Sequence, residues 1–294
     1  MLNIDPAWID TYEENYRHAL QQRQSVLSPC LLTGSMTGEK KRFTYIGKAS
    51  MVERGDSNGD TKWQSLDFDS RWVGRRIFDF PVLIDEFADI ESALTDPTSD
   101  IMKAGIMAAN TRKDVVIKEA FDATVYTGKN GETPVAFPSE NIIDVQLGSG
   151  SSASNQPLNL AKLKEVRARL LEAEVPPEDT FYFVCSPRQI NALLDDDHVT
   201  SADYNAVRAL CNGSVDSFMG FKFIVYNGLD IESGVRSCFA WASSSMQLVI
   251  SKEMKVKGPV EIPTKNFQPG LEITMALDAV RLYDQAVYKV PCAE

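Results

Sequence analysis

The stretch that most constrains this chain runs from Asp96 to Gly128 and reads DPTSDIMKAGIMAANTRKDVVIKEAFDATVYTG. Its signals predict one long helix. The Asp96 carboxylate can accept from the free amides of a first turn. Pro97 then falls at the first helical position, where a missing N–H costs nothing. Gly128 offers a left-handed stop. About 30 residues at ~1.5 Å rise make a rod of roughly 45 Å. Met102, Ile106, Ala109, Val116, Ala120 and Ala123 share one face, with Ile117 and Phe121 beside it, and Lys113 interrupts the stripe. The face is narrow and built partly of small residues. Such a rod suits packing against a sheet and neighbouring chains better than burial in a compact enzyme core, although an ordinary core helix has the same pattern.

Upstream lie two strand-rich stretches, Arg42–Glu53 and Gln64–Ile84, and Phe78, Phe80, Val82 and Ile84 alternate at the end of the second. Between them Arg54–Lys62 (RGDSNGDTK) is turn chemistry throughout. The pair is expected to form a long hairpin. An isolated hairpin is marginal in water, so this one must lie on something, most simply another subunit. Its arms carry local positive charge, Lys40, Lys41 and Arg42 on one and Arg71, Arg75 and Arg76 on the other. With Arg54 and Lys62 near the tip these are candidates for ion pairing across subunits, or else solvated charge. Residues 5–22 predict a short amphipathic helix in which Trp8, Tyr12 and Tyr16 recur at four-residue spacing. Trp8 and Tyr12 need a docking partner, either this chain's core or a neighbour's.

After the long helix, Thr133–Leu147 predicts one or two short strands, and Gly148–Pro157 (GSGSSASNQP) a flexible linker and boundary. A helix follows over Leu158–Glu174, then a buried strand over Thr180–Cys185, a short helix over Arg188–Leu194 and a weakly patterned helix over 199–212. Further strands are expected at Phe221–Tyr226, Ser237–Ala242, Met246–Ser251, Glu272–Leu282 and Ala286–Val290. Helices and strands interleave without regular βα alternation, which favours α+β.

At 294 residues and 44% hydrophobic, the chain can bury a core of one large domain or two small ones. No run approaches the ~18 apolar residues of a membrane span. Five widely spaced cysteines without a CxxC pair fit buried thiols better than a disulfide framework or zinc site. The net charge of −11 argues against sequence-specific nucleic-acid binding, which needs clustered Lys and Arg. Chemistry is hard to place. There is no GxGxxG, GxxxxGK[ST] or GxSxG. Asp56, Asn58, Asp60 and Asp67 only faintly follow a calcium loop, with the glycine misplaced and the bidentate Glu absent. Cys185 with His198 as base is the one conceivable nucleophile pair, but a Cys ending an apolar strand is far more often a core thiol. No catalytic residue, metal ligand or cofactor is assigned.

The segment Phe181–Asp196 (FYFVCSPRQINALLDD) resembles the tailed-phage major capsid proteins of the Hong Kong 97 fold, in which an apolar strand ends in a Pro plus polar residue and leads into a short helix. Phe218–Val225 is similar to the family's aromatic–x–Gly–apolar strand, and Phe267–Val290 to its closing strands. The Asp-Pro start of the long helix, preceded by a hairpin, resembles its spine helix. The order holds over about residues 40–290, and each motif taken singly is loose.

That resemblance implies an N-terminal arm (1–40), an extended hairpin loop (41–84), a peripheral domain (85–156 and 251–294) with the spine helix at 97–127, and an axial domain (157–250). It implies a major capsid protein assembling with itself into hexamers and pentamers of an icosahedral or prolate shell. Expected partners are a separate scaffolding protein, since no long scaffolding segment precedes the hairpin, a portal protein, a possible decoration protein, and non-specifically the packaged double-stranded DNA. Assembly would occur in the host bacterial cytoplasm, with the product in the virion. Some members crosslink a loop lysine to an asparagine. Lys48 or Lys62 and Asn266 are placed for this by position only, and no motif carries that chemistry over. The rival readings are an encapsulin shell of the same fold and, from another class, a cytosolic α+β enzyme using Cys185.

Overall fold

The computed structural model describes residues 22, 24–53, 55, 63–83, 97–148, 154–176, 178–194, 217–265 and 268–294. The helices predicted over 5–22 (apart from Gln22) and 199–212 lie outside these, as do Asp96 and the hairpin tip residues Arg54 and Lys62.

In chain order the first strands are β1 (Leu32–Ser35), β2 (Lys40–Ile46), β3 (Phe68–Gly74) and β4 (Arg76–Leu83). Helix α1 (Pro97–Asp122) leads to β5 (Val125–Thr127) and β6 (Thr133–Val135). Next come α2 (Leu160–Glu172), β7 (Phe181–Cys185), α3 (Pro187–Leu194), β8 (Ser217–Phe218), β9 (Phe221–Val225), β10 (Ile231–Glu232) and β11 (Val235–Ala242). The long strands β12 (Met246–Ile262) and β13 (Gln268–Arg281) and the closing β14 (Val287–Ala293) complete the fold. This is the expected α+β mixture. Two compact units divide the chain: one comprises Met1–Ser25, Arg76–Lys113 and Ser251–Leu277, the other Val26–Arg75, Asp114–Ile250 and Asp278–Glu294.

The larger unit is built on a six-stranded sheet of order β10-β11-β7-β9-β8, with β14 also paired to β11. Strands β7 and β9 run parallel, Phe181 opposite Phe221 through Cys185 opposite Val225. Continuous apolar strands of this kind suit a sheet covered on both faces. Leu163, Val166 and Leu170 of α2 are fully buried. Asn159 starts that helix by accepting from the Lys162 N–H at 2.9 Å, the capping geometry that satisfies a first-turn amide. Phe121 stacks on Phe239 at 4.9 Å and tilts against Trp241 at 4.7 Å between ring centroids, and all three are buried. A second sheet in this unit, β2-β3-β5-β6, carries the hairpin.

Lys162, a charged residue in sequence, is fully buried here. Its Nζ donates to the Gln156 and Pro291 carbonyls, each at 2.7 Å. Burial pushes its pKa down, and the Cys292, Cys238 and Asp144 groups oppose that shift. The end of the predicted linker is therefore fastened: Gln156 also donates its N–H to the Val145 carbonyl and accepts from the Ala293 N–H.

In the smaller unit β4 pairs antiparallel with β13, Leu83 opposite Gly270 through Arg76 opposite Leu277. Residues Arg76 to Leu83 alternate between half-buried and exposed, as a strand with one covered face should. The first half of α1 covers that face, and Gly105 allows the approach: a Cβ there would stand 2.4 Å from Ile273 Cδ1 and 3.0 Å from Phe80 Cδ1.

Several predicted boundaries move, among them that of β12, which runs to Ile262 and not Ser251. Helix α1 stops at Asp122, not Gly128, giving about 39 Å at 1.5 Å per residue. Ala123 is exposed, and Val125–Thr127 forms strand β5 instead. Gly128 does adopt a left-handed φ of 90°, but in the turn after that strand. The predicted second hairpin arm is two strands, because β3 pairs with β2 whereas β4 leaves Arg75 to pair with β13. The first arm is strand only over Lys40–Ile46, and residues 47–53 belong to no strand.

Candidate assembly site

Strands β2 and β3 form a seven-pair antiparallel ladder from Lys40 opposite Gly74 to Ile46 opposite Phe68. Its root is anchored. Val73 joins Met36, Val125, Val249, Val280 and Leu282 in a buried cluster, and Phe43 packs against it. The Trp72 indole Nε1 donates to the Gly128 carbonyl at 2.7 Å, and the Ser70 hydroxyl donates to the same oxygen at 3.1 Å. The distal end is the opposite in character. Ile46 (58% exposed) faces Phe68 (66%) across the ladder, and Met51, Val52, Leu66 and Trp63 (91%) follow, all exposed. Directly opposed apolar side chains stabilise a sheet when they are covered. Here they stand in solvent, and large exposed apolar groups carried along one segment mark an interaction surface.

The root holds a charged network from segments far apart in sequence. Arg71, 5% exposed, donates from Nη2 to Asp284 Oδ2 at 2.9 Å and from Nη1 to Asp69 Oδ2 at 3.2 Å. Arg281, 0% exposed, donates from Nε to the other Asp284 oxygen at 2.5 Å. Its Nη1 donates to the Phe121 carbonyl at 2.7 Å and the Ala123 carbonyl at 3.2 Å. A helix leaves its last carbonyls unsatisfied, and a cation there also meets the negative end of the helix dipole. Arg281 thus caps α1 and explains its stop at Asp122. The Asn141 side-chain amide donates to the Asp284 carbonyl, closing the network on the segment after β6. Arg71 Nε and Arg281 Nη2 are buried without an acceptor among the described residues, which makes the network costly to disturb.

Tyr45 links the network to β2. Its hydroxyl donates to Asp69 Oδ2 at 2.7 Å, its ring meets Tyr283 edge-on at 5.4 Å, and the Arg71 guanidinium lies 5.7 Å from its centroid. Burial and the adjacent Asp69 carboxylate push the Tyr45 pKa up, against a smaller opposing pull from Arg71. For Asp69, burial pushes up, but the bonds from Tyr45, the Ser70 N–H and Arg71 outweigh it and hold the carboxyl below its ordinary range.

The residues singled out in sequence fall into distinct places. Trp8, Tyr12, Arg54 and Lys62 lie outside the described residues. Arg42 is exposed, 6.0 Å from the Trp72 ring centroid. Arg75 is exposed, its N–H donating to the Glu39 carbonyl. Arg76 is half-buried, 5.5 Å from the Phe78 ring centroid. Arg71 is committed to its own chain, which removes it as a free surface charge. Sequence reading passed over Arg281, Asp284 and Asp69. The RLYD tetrapeptide at 281–284 carries a visible i,i+3 Arg–Asp pair, but its partners are remote. Lys48 pairs with Glu174 at 2.5 Å, both mostly exposed, and an ion pair in such surroundings contributes little. Cys185 is fully buried at the end of β7, and His198 lies outside the described residues. Among the described residues no group of three or more His, Cys, Asp or Glu side chains is placed to hold a metal ion, and no helix is long and apolar enough to cross a membrane.

A family model described as phage capsid protein matches residues 4–294. No curated protein matches the sequence. Solved structures do. The capsid of Ralstonia phage GP4 superposes with a TM-score of 0.71 at 12% identity, covering 98% of this chain and 96% of that one. The cyanophage Pam1 capsid gives 0.67 at 14% identity over 100% and 98%. The capsid of a native GTA particle gives 0.68 at 11% identity over 99% and 96%. At such identities the superpositions speak for the fold, and the family match extends over nearly the whole chain. This chain belongs to the phage capsid protein family and has the Hong Kong 97 type of capsid fold.

Proposed function

We propose that this chain is the major shell subunit of a tailed-phage head, closing with copies of itself into hexamers and pentamers around double-stranded DNA. The observation that carries the reading is the hairpin: a root locked by buried charge and a distal end that exposes Ile46, Phe68, Met51, Val52, Leu66 and Trp63. A second copy of the chain is the simplest cover, and many such modest contacts add up in a closed shell. In this reading residues 1–40 are the arm, 41–84 the extended loop, 85–156 and 251–294 the peripheral domain, and 157–250 the axial domain at the capsomer centre. Arg42, Arg75 and Arg76, with Arg54 and Lys62, meet acidic groups of neighbours. A separate scaffolding protein, a portal and a possible decoration protein are the other partners. Contact with DNA is non-specific, in keeping with a net charge of −11. Assembly takes place in the bacterial cytoplasm and the product resides in the virion. The family match favours a phage head over an encapsulin.

The test is to express the chain alone and with its neighbouring genes, and to image the product by negative-stain electron microscopy beside a sizing column. Closed shells, tubes, hexamers or pentamers are expected, with nucleic acid and not cargo protein in filled particles. A monodisperse monomer or dimer under every condition, including co-expressed scaffold, overturns the reading.

A further inference from the structure

Helix α1 meets the β4–β13 pair at Gly105, and a gap lined by both follows. The gap is a cavity of about 400 Å³ walled by Phe78, Phe80, Ala108, Ala109, Ile273 and Met275. Asp79 and Arg112 are the charged residues among its described lining. The Arg112 guanidinium lies 4.7 Å from the Phe78 ring centroid, and that of Arg76 lies 5.5 Å from the same ring. An apolar chamber with small residues on the helix side and arginines at an aromatic wall suits a large aromatic side chain, which buries about 150–250 Å² and gains further from a cation at its face.

We infer that this cavity is the dock for the chain's own N-terminal segment, with Trp8 inserted and Tyr12 beside it. Three observations single out that occupant. The first is the tether. Two residues along α1 from Arg112, the fully buried Asp114 accepts the Val26 N–H at 2.9 Å and the Leu27 N–H at 3.1 Å. The chain before Val26 therefore sets out from this helix, and a short tether supplies a local concentration in the millimolar range. The second is pattern. Trp8, Tyr12 and Tyr16 fall at four-residue spacing, so one helical face would present all three aromatics. The third is charge. Asp5, Asp10, Glu13 and Glu14 accompany them against a single Arg17 over residues 5–17, complementary to Arg112. Asp79 is the opposing charge among the described lining residues.

The experiment uses the full chain as unassembled subunit, so its outcome does not depend on shell formation. Trypsin cleavage after Arg17 is followed by mass spectrometry for the wild type, Trp8→Ala and Ala108→Arg. Docking slows cleavage in the wild type by about tenfold relative to Trp8→Ala, because proteolysis tracks the undocked population. Ala108→Arg, which fills the cavity, behaves like Trp8→Ala. Trp8 lies outside the cavity walls, so that variant decides the matter even if Ala108→Arg fails to fold. Equal rates in wild type and Trp8→Ala overturn the inference. Protection that grows with protein concentration also overturns it, in favour of docking onto a second copy, and protection seen only with co-expressed scaffold overturns it in favour of that partner.

Discussion

Arg71 and Asp284 stand 213 positions apart in the chain and meet at 2.9 Å between Nη2 and Oδ2. The same carboxylate takes Arg281 on its other oxygen, so one acid balances two buried guanidinium groups. Removing it leaves Arg281 without a carboxylate and Arg71 with Asp69 alone. Asp284→Ala is expected to cost about 3–5 kcal/mol, the range for breaking a buried pair from one side. Urea denaturation of the unassembled subunit reads this directly, and a loss below about 1 kcal/mol would show that the network contributes little.

Acid should loosen the hairpin root. The Asp69 pKa in the folded chain lies below its unfolded value of about 3.9. Its contribution is therefore present above that value and lost as pH falls through the lower, folded one. Amide exchange of β2 and β3 should rise in that window. In Tyr45→Phe the Asp69 carboxyl loses a donor, and its titration, followed by carboxyl NMR, should move back toward the ordinary range. The wild-type Tyr45 pKa lies above its unfolded value of about 10, so its contribution persists below that pH and fades only as pH rises through the folded value.

Lys162→Met takes the Nζ donor away from the Pro291 carbonyl and from that of Gln156, which keeps the Ala293 N–H. An unpaired buried polar group costs about 1–3 kcal/mol, so the variant should unfold at clearly lower denaturant at pH 7. The folded Lys162 pKa is depressed by burial, so the unfolded chain binds the extra proton. Wild-type stability should then rise relative to Lys162→Met as pH climbs toward about 10, the unfolded lysine value. A pH-independent difference would count against that account.

Gly131 has φ 72°, and a Cβ on it would come within 2.8 Å of the Trp72 ring. Gly131→Ala combines an unfavourable backbone with a displaced indole, at a cost of about 1–3 kcal/mol. The Trp72 Nε1 bond to the Gly128 carbonyl should weaken with it, visible as a shifted indole N–H resonance.

The double variant Ile46→Ser/Phe68→Ser separates folding from association. Both side chains are already in solvent in the single chain, so its stability should change by no more than about 0.5 kcal/mol per site. Association should suffer, with sedimentation velocity showing free subunits where the wild type forms large particles. Unaltered particle yield would remove the distal hairpin from the assembly surface.

Local signals located the short elements well. Strand β7 stands where the apolar run puts it, and helices α3 and α2 lie within a residue or two of the ranges expected over Arg188–Leu194 and Leu158–Glu174. What sequence concealed depends on partners remote in the chain. The end of α1 is fixed by Arg281 on the Phe121 carbonyl, 160 positions away, and no residue near Asp122 announces it. The split of the second hairpin arm at Arg75 is set by β13, which takes β4 from the far end of the chain. Arg71 and Lys162 carry the same letters as surface charges, and only their burial with Asp284, Gln156 and Pro291 makes them structural. The family was legible from element order, whereas the charged root of the hairpin was not.

The separation of Arg71 from Asp284 also sets a clock. At about 5–20 residues per second, a ribosome needs roughly 10–40 s to travel from one to the other. Throughout that interval a nascent chain carries the arginine of β3 without its carboxylate, and α1 without the guanidinium that caps it. The hairpin is held in place only when synthesis is nearly done, so a truncated product ending before residue 284 retains the apolar distal hairpin but not the root that orients it.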